Sequence, residues 1–288
     1  MAIASDFNRS LSGIFSNPVF KDIARSGQST YVLEKLKKYN QQLSIEPGMR
    51  VKSLIENAYG YLGKNYRNEY LYKNTILNNV LLGRHSVRTA TLLNELKIGN
   101  SIADIVIING TSTVYEIKTE LDTPDKLFKQ LDDYKKAFSK IYIVTHHSLS
   151  HKYASLLDGT SVGVLSLSGR FNLTEEKEAV IDQSLLNNET MLKMLRKEEY
   201  SAVVRALAGT VPAVPNIRFF TECAKVVNQF SAEEVHHQML SLLRKRIPDE
   251  TNLLESKELP KELKHICLCI NPSKQGYNNL FSFLDQNL

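Results

Sequence analysis

The sequence predicts an α/β fold: a mixed sheet flanked by helices, followed by a helical C-terminal region. Two observations lead there. Short β-branched or aromatic runs bounded by Gly, Asn or Ser gather between residues 91 and 167, and amphipathic stretches at helical spacing lie on either side of them. The 288 residues, 42% of them hydrophobic with 13 Gly and 8 Pro, exclude a collagen, a coiled-coil rod and wholesale disorder.

Residues 1–48 are polar and broken by Asn17-Pro18 and Pro47-Gly48, with a short helix around Tyr31–Tyr39, and read as an N-terminal helical extension. Val51, Leu54, Ile55, Ala58, Tyr59 and Leu62 then share one helix face, which Gly63 should stop. A second helix is expected over 68–82, ending at Gly83. The runs 91–98, 103–109 and 112–119 read as strands, Pro124 opens a helix striped by Leu127, Leu131, Tyr134 and Phe138, and 141–146 and 162–167 are two further strands with a helix between them. Residues 49–170 thus form the core, and 171–288 form a helical domain in which strand signals fade after Thr174. His265, Cys267 and Cys269 alternate like a small strand, without the second ligand pair a zinc site needs.

Charge and composition set further bounds. Lys and Arg number 36 against 31 Asp and Glu; the resulting +5 permits an anionic partner without requiring one. Three cysteines cannot build a disulfide framework, which points to a reducing compartment. The opening residues lack a basic-then-apolar leader and no run of roughly 18 apolar residues occurs, so a soluble cytoplasmic protein without a membrane partner is expected.

The informative stretch runs from Asp104 to Tyr134. Two strands expected to be buried carry Asp104, Glu116 and Lys118, and charges in a dry sheet are costly unless they pair or hold a metal. Glu116 and Lys118, two residues apart, share a strand face. Asp104 joins them only if the turn between the strands has an odd number of residues. A two-residue Asn109-Gly110 turn would set Asp104 against Tyr115, whereas a three-residue Asn-Gly-Thr turn sets it on the face of Glu116. The sequence allows both. With the odd turn, two carboxylates converge where Mg²⁺ or Mn²⁺ could sit, beside a lysine ammonium, as phosphodiester hydrolysis requires. The bland alternative is a structural ion pair.

These residues resemble the PD-(D/E)XK nuclease superfamily. Asp104 matches its first acidic position, Glu116-Ile117-Lys118 its E-x-K, and Gln130 with Tyr134 the Q-x-x-x-Y element of RecB-type members; Ala103 stands where the full motif has proline. The likeness covers roughly residues 50–170. It implies a restriction-endonuclease-like core and a metal-dependent nuclease acting on DNA in preference to RNA, in phage defence or DNA repair. Asp104 and Glu116 would bind Mg²⁺ or Mn²⁺ with the Ile117 carbonyl, Lys118 would position the attacking water, and Gln130 would steady Lys118 or a phosphate. A further acid is expected, Glu95 first, Glu69 second and Glu56 third, with an i,i+4 salt bridge to Lys73 as the structural alternative for Glu69. Arg84, His85 and Arg88 could hold phosphates, with Tyr134 as a further nucleic-acid contact or a core residue. Partners would be nucleic acid, a second copy of the chain, or a protein supplying ATPase or targeting, since no phosphate loop is present. The rival reading is a non-catalytic nucleic-acid-binding or assembly subunit that keeps the fold.

Overall fold

A computed structural model describes residues 2–120 and 122–288 of the protein. The chain divides into two units assembled from interleaved segments rather than consecutive blocks. The first comprises Met1–Arg84, Leu167–Leu173 and Pro248–Leu288; the second comprises His85–Ser166 and Thr174–Ile247.

The second unit is organised on a mixed six-stranded sheet in sequential order: β1 (Thr91–Ile98), β2 (Ser101–Ile108), β3 (Ser112–Lys118), β4 (Lys140–His146), β5 (Gly163–Leu167) and β6 (Leu173–Lys177). Short turns make β1–β2 and β2–β3 antiparallel, while β3 and β4 are parallel because a helix, Leu127–Lys135, crosses between them. Every residue of β3 is buried, as expected for a central strand covered on both faces. Val106, Ile108, Val114, Ile143 and Val164 of the sheet pack with Leu127, Leu131 and Phe138 of the crossover. The same core continues into the helices Asn188–Lys193, Lys197–Ala208, Asn216–Val227 and Ala232–Leu243 through Met191, Val203, Val227 and Met239.

Two of these elements escape the sequence patterns. β6, Leu-Thr-Glu-Glu-Lys, is an exposed and charged edge strand, the composition that protects an edge and erases apolar alternation. Asn216–Val227 follows Pro212 and Pro215, which signal a loop but here only precede a helix.

The first unit is helical. The stripe at Val51, Leu54, Ile55, Ala58, Tyr59 and Leu62 is buried in the helix Val51–Asn65, which runs past Gly63. That glycine serves a close approach instead of a stop: a Cβ on it would lie 2.1 Å from the Phe171 ring. Asn68 caps the next helix, Glu69–Ile76, which continues through a π-helical turn, Leu77–Leu81. His265, Cys267 and Cys269 lie on a helix, Lys264–Ile270, not on a strand; five alternating residues are too few to fix a period. No helix among the described residues is long and apolar enough to cross a membrane.

Candidate active site

Parity at the β2–β3 turn is odd. Ile108 pairs with Ser112 across the three residues Asn109, Gly110 and Thr111, Gly110 takes φ +99°, and the Asn109 N–H donates to the Thr111 carbonyl at 3.1 Å. The pairing runs to Ile105 opposite Tyr115, a register that sets Asp104 level with Glu116. There the Asp104 side chain takes over from the backbone ladder, its Oδ2 accepting the Ile117 N–H at 2.7 Å.

Glu116 is 2% exposed and its carboxylate is engaged at both oxygens. Oε1 accepts from Lys118 Nζ at 2.7 Å and from Gln130 Nε2 at 2.7 Å, while Oε2 accepts from the Tyr134 hydroxyl at 2.7 Å. Lys118, 8% exposed, also donates to Gln130 Oε1 at 2.9 Å, so lysine, glutamine and carboxylate close a ring. The Tyr134 hydroxyl lies 2.8 Å from the Ile102 carbonyl of β2 as well, tying two strands to one helix. Burial, and then the negative charge of Glu116, pushes the Tyr134 phenol far above its ordinary range, which keeps it protonated as a donor. From β4, Thr145 donates to the Lys118 carbonyl at 2.7 Å.

The crossover helix makes a second attachment one residue earlier. Asp133 accepts from the Asn100 N–H at 3.2 Å and the Ser101 hydroxyl at 2.8 Å, holding the β1–β2 turn. Gly99 in that turn has φ +58°, and a Cβ there would meet Asp133 Oδ1 at 2.8 Å. Although burial opposes ionisation, hydrogen bonds from Ser101, Lys136 and Asn100 leave the Asp133 carboxyl below its usual range. Asp133 stands beside the Q-x-x-x-Y residues in sequence, but nothing local marks it as a turn anchor.

The remaining expected residues fall as follows. In β1, Asn94 pairs with Ile105 and Leu96 with Ala103, so the register sets Glu95 across from Asp104. Glu95 is exposed and has φ +52°, a left-handed backbone inside a strand that a non-glycine residue adopts only at a cost. Glu69 belongs to the first unit, where it forms the i,i+4 ion pair with Lys73 at 2.5 Å. Glu56 belongs to the first unit as well. Arg84 and Arg88 are exposed, and His85 Nε2 lies 2.8 Å from the Asn109 side-chain amide at the β2–β3 turn. Tyr134 is fully buried, so its place is inside the network and not on a surface that nucleic acid could touch. At the end of β4, His146 Nδ1 lies 3.3 Å from Glu120. Among the described residues, no group of three or more His, Cys, Asp or Glu is placed to hold a metal ion.

Comparison with known proteins gives the chain its relatives. Protein cII of Enterobacteria phage P4 is 29% identical over 138 residues, which cover 46% of this chain and 47% of that protein. The chain therefore spans about half the length of the curated relative it matches. No solved structure matches it. The family profile described as Bacteriophage P4 protein cII matches residues 63–266, a span that holds β1 through β6, the Glu116 network and most of the C-terminal helices, and the chain belongs to that family.

Proposed function

We propose that the protein is a metal-dependent nuclease that hydrolyses phosphodiester bonds of nucleic acid, DNA in preference to RNA. The observation that supports this most directly is the odd β2–β3 turn, which sets Asp104 level with Glu116 and leaves Lys118 two residues further along the strand of Glu116. Gln130 and Tyr134, the two residues of the Q-x-x-x-Y resemblance, both bond to Glu116.

Asp104, Glu116 and the Ile117 carbonyl would hold a hard divalent cation in this reading. Two carboxylates and the Ile117 carbonyl are oxygen donors of the kind Mg²⁺ or Mn²⁺ takes, and Mg²⁺ commonly uses only one or two protein carboxylates with waters completing its shell. When bound, such an ion supplies Lewis acidity toward a phosphate oxygen and a more acidic water. Lys118 orients the attacking water and offsets charge gathering on the phosphoryl oxygens, and Gln130 fixes the ammonium by its hydrogen bond. Glu95 is the additional acid, across the ladder from Asp104. The setting proposed with this activity is bacterial phage defence or DNA repair.

One observation favours a second reading. Both oxygens of Glu116 already have donors in Lys118, Gln130 and Tyr134, as a purely structural ion pair would. In that case the protein is a non-catalytic nucleic-acid-binding or assembly subunit. Plasmid nicking separates the two. The nuclease reading requires nicked or linear product with Mg²⁺ or Mn²⁺, none with EDTA, and none from Glu116→Gln. Intact plasmid at all metal concentrations, with DNA binding retained, supports the subunit.

A further inference from the structure

The charge of the protein is not shared between its units. Of 36 Lys and Arg, 17 lie in the first unit and 19 in the second; of 31 Asp and Glu, 12 lie in the first and 19 in the second. The whole formal excess of +5 therefore sits on the first unit, while the second, which carries the acid–lysine network, is balanced.

Within the first unit two adjoining clefts concentrate that charge. One, of about 520 Å³, is lined by Lys52, Lys257, Lys261 and Lys264, with Glu56 and Glu262 as its carboxylates. Burial raises Glu262 above its ordinary range and lowers Lys264 below its own. The second cleft, of about 160 Å³, shares Lys261 with the first and adds Arg170; its other lining groups are neutral, mostly the amides of Asn74, Asn78, Asn79 and Asn172. It lies against the π-helical turn Leu77–Leu81 and against Phe171, whose φ of +60° is another left-handed non-glycine backbone. Asn79 holds that loop by donating to the Phe171 carbonyl at 2.9 Å, so Arg170 is presented from a tethered segment.

From this placement we infer that the first unit is a nucleic-acid anchor: the Lys52–Lys257–Lys261–Lys264 cleft, continued by Arg170, takes the phosphate backbone independently of sequence. Clustered lysines and an arginine along a cleft are what backbone contact uses, with affinity that falls steeply with salt as counterions are released. The inference shares with the proposed function its choice of nucleic acid, and does not need the chemistry to occur.

Fluorescence anisotropy of a labelled duplex DNA, titrated with full-length protein in EDTA across a salt series, tests it. A Lys52→Gln, Lys257→Gln, Lys261→Gln, Lys264→Gln variant should bind at least about tenfold more weakly, with a log–log salt slope shallower by about 3. The control removes four exposed lysines from the second unit, Lys126, Lys152, Lys193 and Lys225, and should bind within about twofold of wild type. Equal weakening in both variants would mean that binding follows net charge alone, and no weakening in either would place the contact elsewhere; both outcomes overturn the anchor. Lys52 and Lys264 also donate to the carbonyls of Glu258 and Glu255, so if the fourfold variant fails to fold, the Lys257→Glu, Lys261→Glu pair on exposed side chains replaces it under the same criteria. Because binding is read without metal, a cleaving protein that does not use the cleft and a cleft-binding protein that does not cleave give different results.

Discussion

Asp104 on β2 holds the backbone N–H of Ile117 on β3, at 2.7 Å, at the point where the backbone pairing of the two strands ends. A residue expected to face a metal is therefore also a strand clamp, and substitutions there separate the two roles. Asp104→Asn keeps an acceptor for the N–H and should lose less than about 1 kcal/mol in urea unfolding; Asp104→Ala leaves the N–H without that acceptor and should lose about 1–3 kcal/mol. On the proposed function both variants lose plasmid nicking. Nicking by Asp104→Asn near the wild-type rate would confine Asp104 to the clamp.

Lys118 is buried against Glu116, so removing either partner should be costly. Glu116→Ala strands the ammonium and should destabilise by about 3–5 kcal/mol, with Lys118→Ala similar. A Glu116→Ala, Lys118→Ala double variant removes both charges at once and should lose less than the sum of the two single losses. Chemical denaturation of the three variants gives the coupling; an additive double variant would mean the pair is not energetically linked.

Tyr134→Phe deletes one hydroxyl that touches both Glu116 and the Ile102 carbonyl. A loss of about 1–3 kcal/mol is expected, without loss of helix content by circular dichroism. If the network steadies Lys118 for hydrolysis, the same variant also slows nicking; unchanged stability would show that water replaces the hydroxyl.

Acid should weaken the second unit through His236. Burial, and then the neighbouring charge of His237, lowers this imidazole to about 4, and its Nε2 lies 3.2 Å from the buried Ser112 hydroxyl. Unfolded, the same side chain takes up its proton near about 6.5. The unfolded chain thus binds more protons between those values, and stability falls as pH drops through that window, by up to about 3 kcal/mol. His236→Gln should flatten that part of the stability–pH curve; an unaltered slope assigns the acid sensitivity to other groups.

Glu95 tests whether backbone strain is held for function. Glu95→Gly relieves the left-handed conformation and should gain about 1 kcal/mol in thermal or urea unfolding. The proposed function expects that gain to accompany loss of nicking, whereas Glu69→Gln, which removes the charge of the half-exposed partner of buried Lys73, should cost about 1–3 kcal/mol and leave nicking intact. Full nicking in Glu95→Gly with a dead Glu69→Gln would exchange their roles.

Much of the sheet was legible because β1 through β5 are apolar, β-branched and punctuated by turn residues. What the sequence left open was geometry set by one residue more or less. The Asn109-Gly110-Thr111 turn fits two registers, and only the fold chooses the one that aligns Asp104 with Glu116. Gly63 looked like a helix stop because its reason, the ring of Phe171, lies more than a hundred residues away. Long-range placement also explains Asp133 and the charge separation between units, which no local window can reveal. β6 was hidden by the very charges that suit it to an edge.

The helix Leu127–Lys135 carries Gln130, Asp133 and Tyr134, and so grips the β1–β2 turn, the Ile102 carbonyl and the Glu116–Lys118 pair within little more than one turn of its own length. Its opening would release all three attachments together. In hydrogen-exchange terms, the amide of Asn100, which Asp133 holds, should then share one opening free energy with this helix and exchange with it as a single cooperative unit, though it sits in the β1–β2 turn. The site would be assembled or absent as a whole, with the helix as its catch.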